Sequence, residues 1–153
     1  MVSAHSKQPM EREAMRNPAA GPENALAVLA VIPNQGDRDA LRGLFRHSNW
    51  LVSFTNSIAE TMRSLKESPM AVVLCDRDLP DGSWKDLLAA TQTVGRPPRV
   101  VLTSRLVDGR VWAEALSLGC HNVIPQPFLA SELFPVLSFA WRNWRAGAAA
   151  ISG

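Results

Sequence analysis

The sequence predicts an α/β fold, a doubly wound five-stranded parallel sheet with helices on both faces. Apolar runs alternate with segments of helical periodicity along the chain, which is the sequence form of a parallel sheet covered on both sides. The two strongest runs, ALAVLAVI at Ala25 to Ile32 and VVLC at Val72 to Cys75, are continuously apolar, as strands buried on both faces are. The chain has 153 residues and is 46% hydrophobic, enough to enclose one real core.

Five strand-helix repeats follow one another. Ala25 to Ile32 is the first strand, and Asp37 to His47 places Ala40, Leu41, Leu44 and Phe45 at helical spacing. Trp50 to Phe54 is a short second strand. The next helix runs from Ser57, a good N-cap, to Glu67 with Ile58, Met62 and Leu65 inward. Met70 to Cys75 is the central strand. Ser83 caps a third helix reaching about Val94, and Arg96-Pro97-Pro98 closes it before the strand Arg99 to Thr103. Asp108 to Leu118 is a fourth helix stopped by Gly119. Asn122 to Ile124 is the last strand, and Pro125-Gln126-Pro127 leads to a final helix from about Ser131 to Arg145. Leu133, Val136, Leu137, Ala140, Trp141 and Trp144 form its apolar stripe.

Residues 1–24 mix charged and polar residues with three prolines and lack an apolar h-region, so they are expected to be a disordered arm and no secretory signal. The folded domain is expected over 25–146, with 147–153 a flexible C-terminal tail and no effector domain after it. No apolar stretch is long enough to span a membrane. The net charge of +2 comes from 16 basic and 14 acidic residues spread along the chain, so no basic stripe points to nucleic acid. Cys75 and Cys120 lie far apart without metal-ligand spacing, which suits small buried thiols in a reducing cytoplasm.

The most informative stretch is Val72 to Gly82, VVLCDRDLPDG, which delivers Asp76 from the end of the central strand into a Pro/Gly turn. Open α/β sheets bind ligands at that edge. The plainer alternative is a strand-end acid accepting backbone hydrogen bonds from its turn. Thr103, at the end of the neighbouring strand, likewise reads either as a site hydroxyl or as one satisfying a local amide.

In several places at once these residues resemble the receiver domain of two-component response regulators, over Ala25 to about Arg145. CDRDLPDG is similar to that family's phosphoacceptor loop, VVLTS at Val100 to Ser104 to its strand ending in a phosphoryl-contacting hydroxyl, and LSLGCHNVIPQPF to the segment that closes its sheet, with Gly119, Pro127 and Phe128 retained. The resemblance implies a flavodoxin-like fold, Asp76 as phosphoacceptor and Thr103 as the phosphoryl contact.

Three departures bear on function. Where the family carries a metal-binding acidic pair after the first strand, this chain reads Val31-Ile32-Pro33-Asn34. Gln126 stands at the usual lysine position and loses its positive charge, and Val123 replaces the aromatic residue that changes rotamer on activation. With only Asp76 as a firm carboxylate, and Asn34 and Asp78 as weak further ligands, Mg²⁺ is a doubtful cofactor, although Asp37 follows closely enough for a rearranged turn to recruit it. A solvated turn position is the plainer account of Asp78. Losing the lysine costs about 1.5–3 kcal/mol and the metal several more, which is on the order of a ten-thousandfold slower phosphoryl transfer.

The resemblance implies a cytoplasmic, non-enzymatic bacterial signalling protein whose partner is a sensor histidine kinase, a phosphotransfer protein or another signalling protein. Five tryptophans and no tyrosine draw attention to its helical faces: Trp112, Trp141 and Trp144 are the interface candidates, including for a homodimer through the last two helices, with core packing as the alternative. Two other functions stay open. One is a phosphorylation-independent pseudo-receiver acting as an adaptor; the other is a flavodoxin-like small-molecule-binding protein, for which Pro33-Asn34-Gln35-Gly36 offers only one glycine in place of a phosphate loop.

Overall fold

The computed structural model describes residues 26–152, with side chains to 147, so the proposed arm over 1–24 lies outside the described residues. The elements in chain order are β1 (Ala27–Val31), α1 (Gln35–Phe45), β2 (Leu51–Thr55), α2 (Ile58–Glu67), β3 (Val72–Asp76), β4 (Asp78–Leu79), β5 (Gly82–Ser83), α3 (Trp84–Thr91), β6 (Arg99–Ser104), α4 (Gly109–Leu118), β7 (Asn122–Pro125) and α5 (Ala130–Ser152). Side-chain caps start four of the helices. Asn34, Ser57 and Asp108 each accept a backbone N–H three residues on, and Ser83 forms a capping box with Asp86. Gly119 ends α4 in the left-handed region at φ 113°, where a Cβ would be strained.

Five strands pair in parallel in the order β2-β1-β3-β6-β7. The first crossover moves outward from β1 to β2, whereas β3 returns to the other side of β1, so the winding reverses between β1 and β3. A crevice opens at the carboxyl ends of strands at such a reversal. The register sets Asp76 of β3 opposite Thr103 of β6, and Thr103 opposite Ile124 of β7.

Alternate strand residues feed two cores. Val28, Ala30, Val72, Leu74, Val101 and Ile124 point to the face covered by α1 and α5, where they meet Leu41, Phe45, Leu133 and Leu137. Leu29, Val31, Val73, Cys75, Leu102 and Val123 point to the other face and meet Leu65, Trp84, Leu87 and Ala115 from α2, α3 and α4. Each fully buried Leu or Val contributes roughly 1.5–3 kcal/mol over leaving it exposed, which explains why both sides of the strands are apolar.

Two features differ from the sequence reading. Helix α5 continues to Ser152, past Arg145, so most of the segment assigned to a tail is helical. The loop after β3 is a small antiparallel hairpin pairing Asp78 with Ser83 and Leu79 with Gly82. Asp81 fastens it to α2 by accepting the N–H groups of Ile58 (2.9 Å) and Ala59 (3.1 Å).

Candidate functional site

Four chain segments bring polar groups to the crevice. Asp76 ends β3, half-buried, with Oδ1 accepting the Arg77 N–H at 2.8 Å. Burial is the main cause raising its pKa, and the Asp37 and Asp78 charges raise it further; the Arg77 N–H and the Arg105 guanidinium pull the other way. Thr103, its partner across the ladder, is fully buried, and its Oγ1 has no hydrogen-bond partner among the described residues.

Gln126 follows β7, joined to Pro127 by a cis peptide bond, and its N–H donates to the Ser104 carbonyl at 3.0 Å. Its side chain is buried. Oε1 accepts from Arg105 Nη1 at 3.1 Å, while Nε2 has no partner among the described residues.

Arg105 is the site residue that the sequence reading missed. It stands two positions past Thr103, just beyond β6, and its fork grips the Asp37 carboxylate with Nη2–Oδ1 at 2.8 Å and Nη1–Oδ2 at 3.3 Å. Asp37 lies in the first turn of α1 and is buried there, with its own N–H on Asn34 Oδ1 at 2.9 Å. The Arg105 side chain is 64% exposed and that of Asp37 only 11%, so the arginine reaches from solvent onto an enclosed acid. Gln126 itself carries no charge, but a guanidinium from the segment just after β6 rests on its side-chain oxygen.

The metal-ligand set does not assemble. Asn34 spends its carbonyl oxygen as the α1 cap, both Asp37 oxygens are held by Arg105, and Asp78 is exposed on β4. Among the described residues no group of three or more His, Cys, Asp or Glu could hold a metal ion. These residues do not fit the Mg²⁺ that receiver domains imply, which asks for several hard oxygen ligands at once.

The tryptophans separate. Trp112 is 39% exposed on α4, and Trp141 is half-buried on α5 under the Arg145 guanidinium. Trp144 is 3% exposed, packed in the core beneath Arg96, whose guanidinium carbon sits 3.6 Å above the ring. A ring enclosed in that way presents no surface to a partner, so Trp144 is a core residue rather than an interface one. Val123 is buried in the core on the face covered by α2, α3 and α4.

The architecture is that of the receiver domains of response regulators. Solved structures with the same fold include a response regulator receiver domain from Clostridium thermocellum (TM-score 0.70, 18% identity, covering 78% of this chain and 97% of that one). A CheY-like receiver domain from Methanospirillum hungatei matches with TM-score 0.70 at 14% identity, over 80% of this chain and 98% of that one. The beryllofluoride-activated NtrC4 receiver domain dimer matches with TM-score 0.70 at 15% identity, over 77% and 98%. By sequence, the chain is similar to the transcriptional regulatory protein CutR of Streptomyces coelicolor and of Streptomyces lividans, in each case 29% identical over 108 residues, 71% of this chain. It spans half the length of those relatives. The sequence patterns of known protein families give no match.

Proposed function

We propose that this chain is a receiver module of two-component signalling, acting by protein–protein contact, with Asp76 as its phosphoacceptor. The observation that carries the reading is the pairing of Asp76 with Thr103 at the carboxyl edge of the central strands, where the buried Thr103 hydroxyl lacks a partner. A half-buried carboxylate with a raised pKa is also a stronger nucleophile than a solvated one. The phosphodonor would be a phosphohistidine on a sensor kinase or phosphotransfer protein, or a small acyl phosphate, in the cytoplasm. Partner contact falls on α4 and the exposed side of α5, where Trp112, Leu116 and Phe139 are exposed.

A pseudo-receiver working as an adaptor is the second reading. It is favoured by the Asp37–Arg105 ion pair, which occupies both oxygens of the one further carboxylate that a rearranged first-strand turn could recruit for a cation.

Intact mass after incubation with acetyl phosphate separates the two. One phosphate adduct per chain, absent from Asp76→Asn, is the expected result. A wild-type chain that stays unmodified would leave the adaptor reading.

A further inference from the structure

We propose that Arg105 is the cation that receives the phosphoryl oxygens at Asp76, leaving Asp37 as it does so, in a site that works without a metal ion. This rests on Asp76 being the phosphoacceptor and says how its chemistry is served.

The argument starts from where the charge sits. Arg105 lies two residues beyond the ladder partner of Asp76, and its fork already bridges Asp37 and Gln126, groups that arrive from α1 and from the end of β7. Each of Arg105 and Asp76 also feels the other's charge, as the smallest of the influences on its pKa: the guanidinium lowers that of Asp76 and the carboxylate raises that of Arg105. With its side chain mostly exposed, Arg105 can swing by rotamer change alone, whereas the enclosed Asp37 stays where the Asn34 cap holds its helix turn.

The second point is the unmet hydrogen-bonding capacity. Thr103 Oγ1 and Gln126 Nε2 are buried, near the same strand ends, and without partners among the described residues. Buried polar groups are normally satisfied, so two idle donors at the carboxyl ends of β6 and β7, the first of them the ladder partner of Asp76, suit an acceptor that is present only part of the time. A phosphoryl group brings three acceptor oxygens and close to two negative charges.

The third point is competition. The guanidinium plane matches phosphate bidentately, and a near-dianion attracts it more strongly than the single charge of Asp37. In the step itself an Asp76 oxygen attacks the phosphorus of an acyl phosphate, an O–P bond forms, and the bond from phosphorus to the acyl oxygen breaks. The leaving carboxylate takes the electron pair, and nothing is oxidised or reduced. Arg105 neutralises the oxygens that would otherwise repel the attacking carboxylate, which is the task a metal performs in other phosphoryl-transfer sites.

The test pairs a covalent assay with a binding assay on wild type, Arg105→Ala, Arg105→Lys and Asp76→Asn, each checked for folding by thermal unfolding. Acetyl phosphate adducts are followed by intact mass in EDTA and in Mg²⁺. In parallel, beryllium fluoride, a tetrahedral mimic of the acyl phosphate, is titrated in EDTA and read by nitrogen-15 NMR at the Thr103 amide and the Gln126 side chain. The expected adduct rate is the same in EDTA and Mg²⁺. Arg105→Ala slows it roughly tenfold to a hundredfold, the worth of one charge-assisted hydrogen bond, and Arg105→Lys recovers part of the loss. Beryllium fluoride shifts both signals in wild type and neither in Arg105→Ala. An adduct that requires Mg²⁺, or one indifferent to Arg105, overturns the role of Arg105 while leaving Asp76 a phosphoacceptor. No adduct together with an Arg105-dependent beryllium fluoride shift retires the phosphoacceptor and keeps the oxyanion pocket. Neither adduct nor shift removes both.

Discussion

Asp76 carries a stability cost whose pH dependence can be worked out. Its folded pKa is raised above the ordinary 3.8, chiefly by burial. Between those two values the native state binds more protons than the unfolded chain, so stability falls as pH rises across that window and stays reduced at neutrality. Asp76→Asn removes the charge, and it is expected to be more stable than wild type at pH 7, with the advantage fading as pH drops toward 3.8. Urea unfolding at a series of pH values measures this; an Asn variant less stable than wild type at pH 7 would show that the carboxylate's bond from the Arg77 N–H outweighs its desolvation. At this scale the strand-end residues were legible. Asp76 and Thr103 announce themselves by interrupting apolar runs, and Gln126 by its place before Pro127. Arg105 did not, because an arginine in a loop is ordinary and its meaning comes from Asp37, 68 positions earlier. The available signal was its spacing two residues past the strand-end hydroxyl.

Element boundaries follow capping chemistry closely where caps exist. Ser57, Ser83 and Asp108 start α2, α3 and α4 at the residues their side chains mark, and Gly119 ends α4. Gly147 and the small residues after it suggest a tail beyond Arg145, yet alanine is the strongest helix former and carries α5 on to Ser152. Arg99 ties that region to the sheet by donating from Nε to Asn143 Oδ1 at 2.6 Å. The hairpin of β4 and β5 leaves no sequence signal because two-residue strands carry no periodicity. Helix α5 also contains a flaw open to repair. Pro135 sits inside it at an exposed position, where it lacks the N–H that would reach the carbonyl of Ser131. Pro135→Ala loses little packing and is expected to raise stability by about 1–3 kcal/mol, measured by chemical unfolding. No gain would mean that the surrounding helix has already adapted its geometry to the ring.

For the molecule as a whole, the decisive property is that one sheet separates two cores yet belongs to both, since successive residues of each strand serve opposite faces. Truncating either core must therefore strain the same backbone ladder that positions Asp76 and Thr103. Leu74 and Leu102 are both fully buried, one facing α1 and α5 and the other α2, α3 and α4. Leu74→Ala and Leu102→Ala are each expected to cost about 2–5 kcal/mol. The tryptophans report the faces separately, because Trp50 and Trp144 lie in the first core and Trp84 in the second. With 5-fluorotryptophan incorporated, fluorine NMR follows each ring through a urea titration in the same sample. If the ladder couples the faces, the signals of Trp84 and Trp144 lose native intensity at one shared midpoint, and either truncation moves both midpoints together. Separate midpoints, or a Leu102→Ala variant that shifts Trp84 alone, would mean that the faces melt independently, and the register of Asp76 against Thr103 would then depend on only one of them.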